Sequence, residues 1–513
     1  MKKIFFITLS TTIIFFSVMS FFSAIHDKKG SPNQSVLKLL IKSDPLSFDP
    51  RKPSDGTTAA LFSFLFEGLT KIDQQGRATL CLARDVKISE DRLTYTFFLH
   101  KAFWSDGTPI VAQDFKRSWL EVLNPQFGAY NPDYLFIIKN GQQYYNNEVT
   151  EEAVGINVLS EDCLSVTLAF ASISFLEYLS NKMFFPVNDK GFFSGPFFLN
   201  GWKKQNFLSF KKNQFYRNQQ EIFFDEIFFH ITADPLTQLS IFEKNQSDWI
   251  GAPFTMFSYE DTSFLQNKEG AAFFQTDSVL GLIFNTTKYP LHQEKIRKAL
   301  TYAINREDII KHITLGSERP ALTLLPSCHT TNLYNNFQNG KNLPRLELNE
   351  ESIQSIENLV FSYPSLPSFH VLVQAIQQMW FEVFGVRVKL QAKEWQIYVN
   401  DLNNKNYDLA LFGKGCNPID PLYFLSHFMF KNRATNRCGW ENSDFISCIE
   451  KARKAMNKKK RDELISEAEK ILLNEMPIGP IYFQSGFYIK NPRLTNVVIT
   501  PQGQVDFTRA YFN

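Results

Sequence analysis

The chain has 513 residues, more than one small core accommodates, so two or three domains are expected. Its 54 basic and 52 acidic residues leave a net charge of +2, and two of the positive residues, Lys2 and Lys3, stand at the N-terminus. That balance excludes the basic excess with which nucleic-acid binders displace counterions. Residues 1–24 open with Met-Lys-Lys and continue as an almost unbroken apolar run from Ile4 to Ala24, the pattern of an export signal. Cleavage after Val18-Met19-Ser20 would release a soluble chain. The apolar run is also nearly long enough to span a bilayer, so an uncleaved anchor is the alternative. No Cys precedes Cys81, which excludes a lipid anchor through an N-terminal Cys.

After a polar linker (His26 to Gln34), Val36-Leu37-Lys38-Leu39-Leu40-Ile41 is expected as a buried strand. Thr57 to Leu69 reads as a helix, with Ala60, Phe64 and Leu65 on one face and Gly68 near its end. Leu93 to Leu99 reads as a strand, and Ser105-Asp106-Gly107-Thr108-Pro109 has turn chemistry. A helix over Gln113 to Val122 is stopped by Asn124-Pro125. Gln293 to Leu315 is expected as a helix closed by Gly316, with Ile296, Leu300, Ala303 and Ile304 at helical spacing. Ser368 to Phe384 is an amphipathic helix ending at Gly385, and Val386 to Leu390 alternates as a strand. Asn406 to Leu411 is a further strand, expected to enter the Gly-rich turn Phe412-Gly413-Lys414-Gly415. Ser443 to Asn474 reads as one or two helices, with Lys458-Lys459-Lys460-Arg461 as a solvated face. Mixed strands and helices without strict alternation indicate α/β or α+β architecture in more than one lobe.

The chemistry-bearing residues are sparse. Six cysteines form no C-x-x-C pair. Cys416–Cys438 and Cys438–Cys448 are the local disulfide candidates, with buried free thiols as the alternative. Ser194 in Gly191-Phe192-Phe193-Ser194-Gly195 lacks the spacing of a nucleophile elbow, there is no H-E-x-x-H, and the eight histidines are scattered singly. No enzyme activity and no cofactor are expected. Most of the 52 Phe, 18 Tyr and 7 Trp are assigned to core, and a minority to a ligand cleft.

Several ordered blocks nevertheless carry a resemblance. They begin with Asp44-Pro45-Leu46-Ser47-Phe48-Asp49-Pro50 and Leu65-Phe66-Glu67-Gly68-Leu69. The most specific is Phe103-Trp104-Ser105-Asp106-Gly107-Thr108-Pro109, followed by Asp114-Phe115 and Ser118-Trp119. Gly195-Pro196-Phe197, Trp202 and Asn213-Gln214-Phe215-Tyr216 come next, then Asn285-Thr286, Pro290, Ile296 to Leu300 and Ala303 to Arg306. Glu394-Trp395, Tyr407-Asp408 and Pro480-Ile481-Tyr482 complete the series. From about residue 36 onward the chain resembles the periplasmic oligopeptide- and dipeptide-binding proteins of ABC importers. The resemblance implies a two-lobed α/β periplasmic-binding-protein fold of type II with an extra domain inserted in the first lobe. Lobe 1 would comprise residues 25–55, 176–276 and 485–513, the extra domain 56–175, and lobe 2 residues 277–484. A peptide ligand, inner-membrane permease subunits as partners, a periplasmic location and a monomeric state are likewise implied.

A binder of many peptides must grip the backbone that all peptides share. The resemblance assigns this to Ser54-Asp55-Gly56 and to Gly413-Lys414-Gly415-Cys416-Asn417, where glycines would let a ligand backbone approach closely. Tyr130, Tyr134, Trp395 and Tyr482 fall at or near pocket positions. The chain departs from the pattern where the family's amine-gripping Asp is expected, because Asn417 stands there. Asn417 carries no charge, so either the charge-assisted bond is lost or Asp420, three residues on, replaces it. Leu402 and Leu411 occupy positions where some members carry basic residues for the peptide carboxylate. A modified or cell-wall-derived peptide is therefore an alternative ligand. A metal chelate or haem is another, with His370 and His427 as its candidate ligands.

Overall fold

The computed structural model describes residues 35–53, 55–316, 318–325, 348–415, 420–433, 435–500 and 503–513. The apolar stretch read as an export signal, Ser54, Cys328, Cys416 and Asn417 lie outside the described residues. One sheet of eleven strands runs through most of the molecule. Its strands are β1 (Val36–Ile41), β2 (Phe197–Lys203), β3 (Phe207–Lys212), β4 (Glu226–Ile231), β5 (Trp249–Gly251), β6 (Ala271–Phe284), β7 (Val360–Pro364), β8 (Lys389–Lys393), β9 (Leu409–Gly415) and β10 (Ile478–Lys490). The order is β8-β7-β9-β6-β10-β5-β1-β4-β3-β2, and the two-residue strand Arg319–Pro320 also pairs with β10.

Two long strands carry the sheet from one half of the molecule to the other. Ala271 to Gln275 of β6 pair with Ser485 to Ile489 of β10, and Val279 to Ile283 pair with Ile478 to Phe483. Between these stretches the register shifts, so that Thr276, Asp277 and Ser278 face a single residue, Gln484. Beyond the shift β10 runs on to pair with β5 on one side, while β6 pairs with β9 on the other. At Thr276 and Asp277 the ladder is two strands wide, before Ser278 takes up Gly415 of β9.

Each half has its own core. On the first side, Phe64 of helix α1 (Gly56–Leu65) sits among Phe197, Phe210, Phe229, Phe254 and Phe507, with ring centroids 5.9 to 6.5 Å away. Leu37, Leu39 and Ile41 of β1 face the same core, because parallel pairing with β4 leaves alternate residues of the strand on that side. A second core gathers residues from Leu69 to Phe184 around a four-stranded antiparallel sheet and helix α2 (Ala112–Leu123). Trp104 and Trp119 are buried there, and the Trp119 indole donates to the Phe184 carbonyl at 2.8 Å. On the second side, one cluster packs helix α3 (Pro367–Phe384) against β7 and β9, and a separate one packs helices α6 (Ser443–Lys454) and α7 (Lys458–Glu475).

Several local expectations are corrected. Helix α1 stops at Leu65 rather than Leu69, because Ser194 Oγ and Gly195 N take the exposed polar groups of Glu67 and Leu65. The long helix expected over 293–315 is two, Glu294–Tyr302 and Arg306–His312, since Asn305 caps the second by accepting from Asp308 N. The strand expected at Val386–Leu390 is displaced to Lys389–Lys393. Gly413 and Gly415 are not in a turn; β9 continues through them opposite Leu280 and Ser278. Lys458, Lys459 and Lys460 are exposed as expected of a solvated face, but Arg461 is buried. Cys438 and Cys448 are unbridged, and the Cys438 thiol donates instead to Asn436 Oδ1 at 3.1 Å.

Candidate functional site

The first part of the site is built on the turn that leads into α1. Arg51 is buried beneath it and holds Asp49 at 2.9 Å and Glu121 of α2 at 2.5 Å, which fixes the turn against the second core. Asp55 caps α1 by accepting from Thr58 N at 2.8 Å. Gly56 begins the helix with open space where a Cβ would stand. The Arg51 carbonyl accepts from Tyr130 N at 2.9 Å, so the turn and Tyr130 are brought side by side. Tyr130 exposes half its surface, and the Lys182 ammonium lies 5.6 Å from its ring and 5.1 Å from that of Phe62. Burial pulls the Lys182 pKa down to about 8 against the opposing pull of Asp49 and Asp55.

The second part closes the gap between the two halves. Tyr134 is buried, and its ring stacks on Tyr423 with centroids 4.0 Å apart. Tyr423 belongs to helix α5 (Pro421–Ser426) in the second half, and its hydroxyl donates to Asp133 Oδ2 at 3.2 Å. Asp420 caps α5: Oδ1 accepts from Leu422 N at 3.0 Å, and Oδ2 pairs with the Arg461 guanidinium of α7 at 2.5 Å. Between these residues lies a cavity of about 110 Å³ lined by Tyr134, Tyr178, Tyr423, Arg433, Arg453 and the Asp420–Arg461 pair. Burial raises the Tyr134, Tyr178 and Tyr423 phenols well above their ordinary range, so all three are neutral donors.

Of the residues expected from the sequence, Asp55, Gly56 and Tyr130 come together at the first part, and Tyr134 and Asp420 at the second. Both Asp420 oxygens are engaged within the protein. Trp395, half exposed, opens helix α4 (Trp395–Asn403) 6.2 Å from the Tyr398 ring. Tyr482 is fully buried opposite Leu280, and its hydroxyl meets that of Tyr259 at 2.9 Å, so here it is a core residue at the waist. Leu402 and Leu411 are also core. His370 Nδ1 bonds the Tyr363 hydroxyl at 2.6 Å, and His427 lies 4.0 Å from Asp133. Among the described residues no group of three or more His, Cys, Asp and Glu is disposed to hold a metal ion. Ser194 is buried and accepts from Glu67 N, which gives its hydroxyl a structural partner.

Sequence reasoning missed Lys182, Tyr178, Tyr423, Arg433 and Arg453. No local pattern marks them, because they converge only when α5, α6 and the loop before the second core's end fold together.

Residues 78–436 match the profile of the bacterial extracellular solute-binding proteins, family 5. The chain is 28% identical to the oligopeptide-binding protein OppA of Bacillus subtilis, over 94% of each chain. It is 26% identical to the dipeptide-binding protein DppE of the same organism, over 94% of this chain and 92% of that one. The crystal structure of Haemophilus influenzae OppA in complex with RPPGFSPFR superposes with a TM-score of 0.79 at 19% identity, covering 94% of this chain and all of that one. The two-lobed α/β fold is the one these proteins share, and the chain belongs to family 5 of the bacterial extracellular solute-binding proteins.

Proposed function

We propose that this chain is the exported capture component of an ABC importer, which encloses an oligopeptide between its lobes and delivers it to membrane permease subunits. The observation that carries the reading is the two-strand waist, which joins two separately cored halves, with Tyr134 of the first meeting Tyr423 of the second beside Asp420. Relatives named for binding oligopeptides and dipeptides support peptide as the ligand class. A monomer acting without chemistry fits this role: Asp420 is engaged by Leu422 N and Arg461, and Ser194 takes the Glu67 N–H rather than lying beside a base. The apolar leader fits export to the periplasm or cell exterior.

The direct test is mass spectrometry of ligand released from the natively purified protein. Peptides of a few residues are the expected species, and small-angle scattering with the identified peptide should show a smaller radius of gyration than without it. A non-peptide ligand, or saturated binding with an unchanged radius, overturns the reading. The burial of Leu402 and Leu411, at positions where some members of the family carry basic residues, favours a second reading in which the ligand has a blocked or modified terminus.

A further inference from the structure

The contact between the two halves has a titratable group on each side. Asp133 and Tyr134 belong to the turn Pro132–Ile137 of the second core, whereas His427 ends α5 in the other half. His427 is buried, its ring stands edge-on to Tyr423 at 4.7 Å, and its Nε2 lies 4.0 Å from Asp133 Oδ2. Its Nδ1 lies 3.2 Å from the Phe424 carbonyl, which can only accept, so Nδ1 carries the proton of the neutral ring. Nε2 then turns a lone pair toward a carboxylate. A second proton converts that repulsion into a charge-assisted attraction between the halves. Glu177 of the second core responds in the same sense. Its Oε2 is buried without a hydrogen-bond partner, and burial, with Asp420 of the other half nearby, raises its pKa. When charged, Glu177 faces a like charge across the contact; when protonated, it does not. The other groups keep their charge as these two titrate. Arg461 pairs with Asp420, Arg433 acts on Asp133, and Arg453 feels Glu450 and Asp420. Burial keeps Tyr134, Tyr178 and Tyr423 neutral. Among the described residues no third His, Cys, Asp or Glu joins His427 and Asp133 to hold a metal ion.

We infer that this contact is a proton-operated latch, which acidification closes by charging His427 against Asp133 and discharging Glu177 beside Asp420. The closed form holds both protons more tightly than the open form, in which each group regains water. Uptake of either proton therefore favours closure. Ligand bound between the lobes is held more tightly and released more slowly at acid pH, because the closed form is the one that encloses it. The inference rests on the lobe closure proposed above, but not on the ligand being a peptide.

Small-angle scattering of the unliganded protein, fitted as a mixture of open and closed forms, decides it. From about pH 8 to about pH 5.5 the closed-to-open ratio of wild type should rise about tenfold, with a falling radius of gyration. The single variants should part in opposite directions. E177Q, neutral at every pH, should already be more closed than wild type at about pH 8. H427Q, which cannot gain the charge, should stay more open than wild type at about pH 5.5. In H427Q/E177Q the ratio should hold to within about twofold across the range. Melting curves at both pH values confirm folding, and a merely structural role for the two residues would not give shifts of opposite sign. A wild-type ratio that does not rise on acidification, or a rise that survives H427Q/E177Q, overturns the latch. Capture then still stands, because it is judged from the released ligand. If the radius also fails to fall with that ligand bound, closure itself is overturned and the latch with it.

Discussion

Phe64 packs among five other phenylalanine rings and meets nothing that titrates, whereas Tyr134 stacks on one ring at the edge of a cavity that holds an ion pair and two further arginines. Both rings are buried. The first belongs to a core whose stability is proportional to apolar area, and the second to a contact in which every buried polar group must find a partner or a ligand. The difference separates what holds each lobe together from what brings the lobes to each other. A perturbation of the first should change stability and leave recognition alone; one of the second should do both.

Phe64→Ala is expected to have the largest effect, about 4 kcal/mol of destabilisation by denaturant titration, because the six-ring cluster cannot collapse into so large a void. Affinity for the identified ligand should be unchanged in the fraction that stays folded. Arg461→Ala leaves Asp420 buried beside the cavity without its countercharge and should cost about 3 kcal/mol. Unlike the Phe64 change, it should also weaken ligand binding in calorimetry, since α5 loses its anchor to α7. Asp420→Asn should show the same two effects in milder form.

Buried polar groups also make stability depend on pH in a way the phenylalanine core cannot. Glu469 accepts from Leu324 N and Leu325 N at 2.8 Å, leaves Oε2 unpartnered, and burial pushes its pKa from 4.5 up to about 7. The folded state therefore holds this proton more tightly than the unfolded chain. Stability should fall as pH rises from about 4.5 to 7, by about 3 kcal/mol, and level off above. Glu469→Gln should flatten that slope in melts taken across the same range. The smallest expected effect is that of Tyr423→Phe, about 1 kcal/mol, which removes the hydroxyl bond to Asp133 but keeps the ring on Tyr134. Scattering of the unliganded protein should then shift toward a larger radius of gyration, with the melting temperature nearly unchanged.

The fold was legible where periodicity and capping act locally. The helix expected at Ser368–Phe384 is found at Pro367–Phe384 with Gly385 in the left-handed conformation, and the strand at Val36–Ile41 has the expected limits. Expectations failed where distant segments competed for backbone groups, as when Ser194 and Gly195 end α1 early. The site was half legible. Tyr130 and Tyr134 were found through the resemblance, yet nothing four residues apart in sequence tells that one is open to solvent and the other closed under Tyr423. Asp420 was noticed for its charge, but its partner Arg461 lay within a basic run read as a solvated face. Arg433 and Arg453 had no sequence signal, because their place at the cavity depends on how α5 and α6 pack.

The register shift at Thr276–Ser278 has a mechanical consequence. A ribbon of two strands twists more readily than the wider sheets on either side of it. Relative rotation of the lobes is thus a torsion of paired backbone, with its compliance concentrated in a few residues and a restoring force supplied by the ladder itself. The bond between Tyr259 and Tyr482 stiffens one edge of that ribbon. Such a joint returns to the same angle after each turn, so the cleft can reopen after release without any segment having to find its place again.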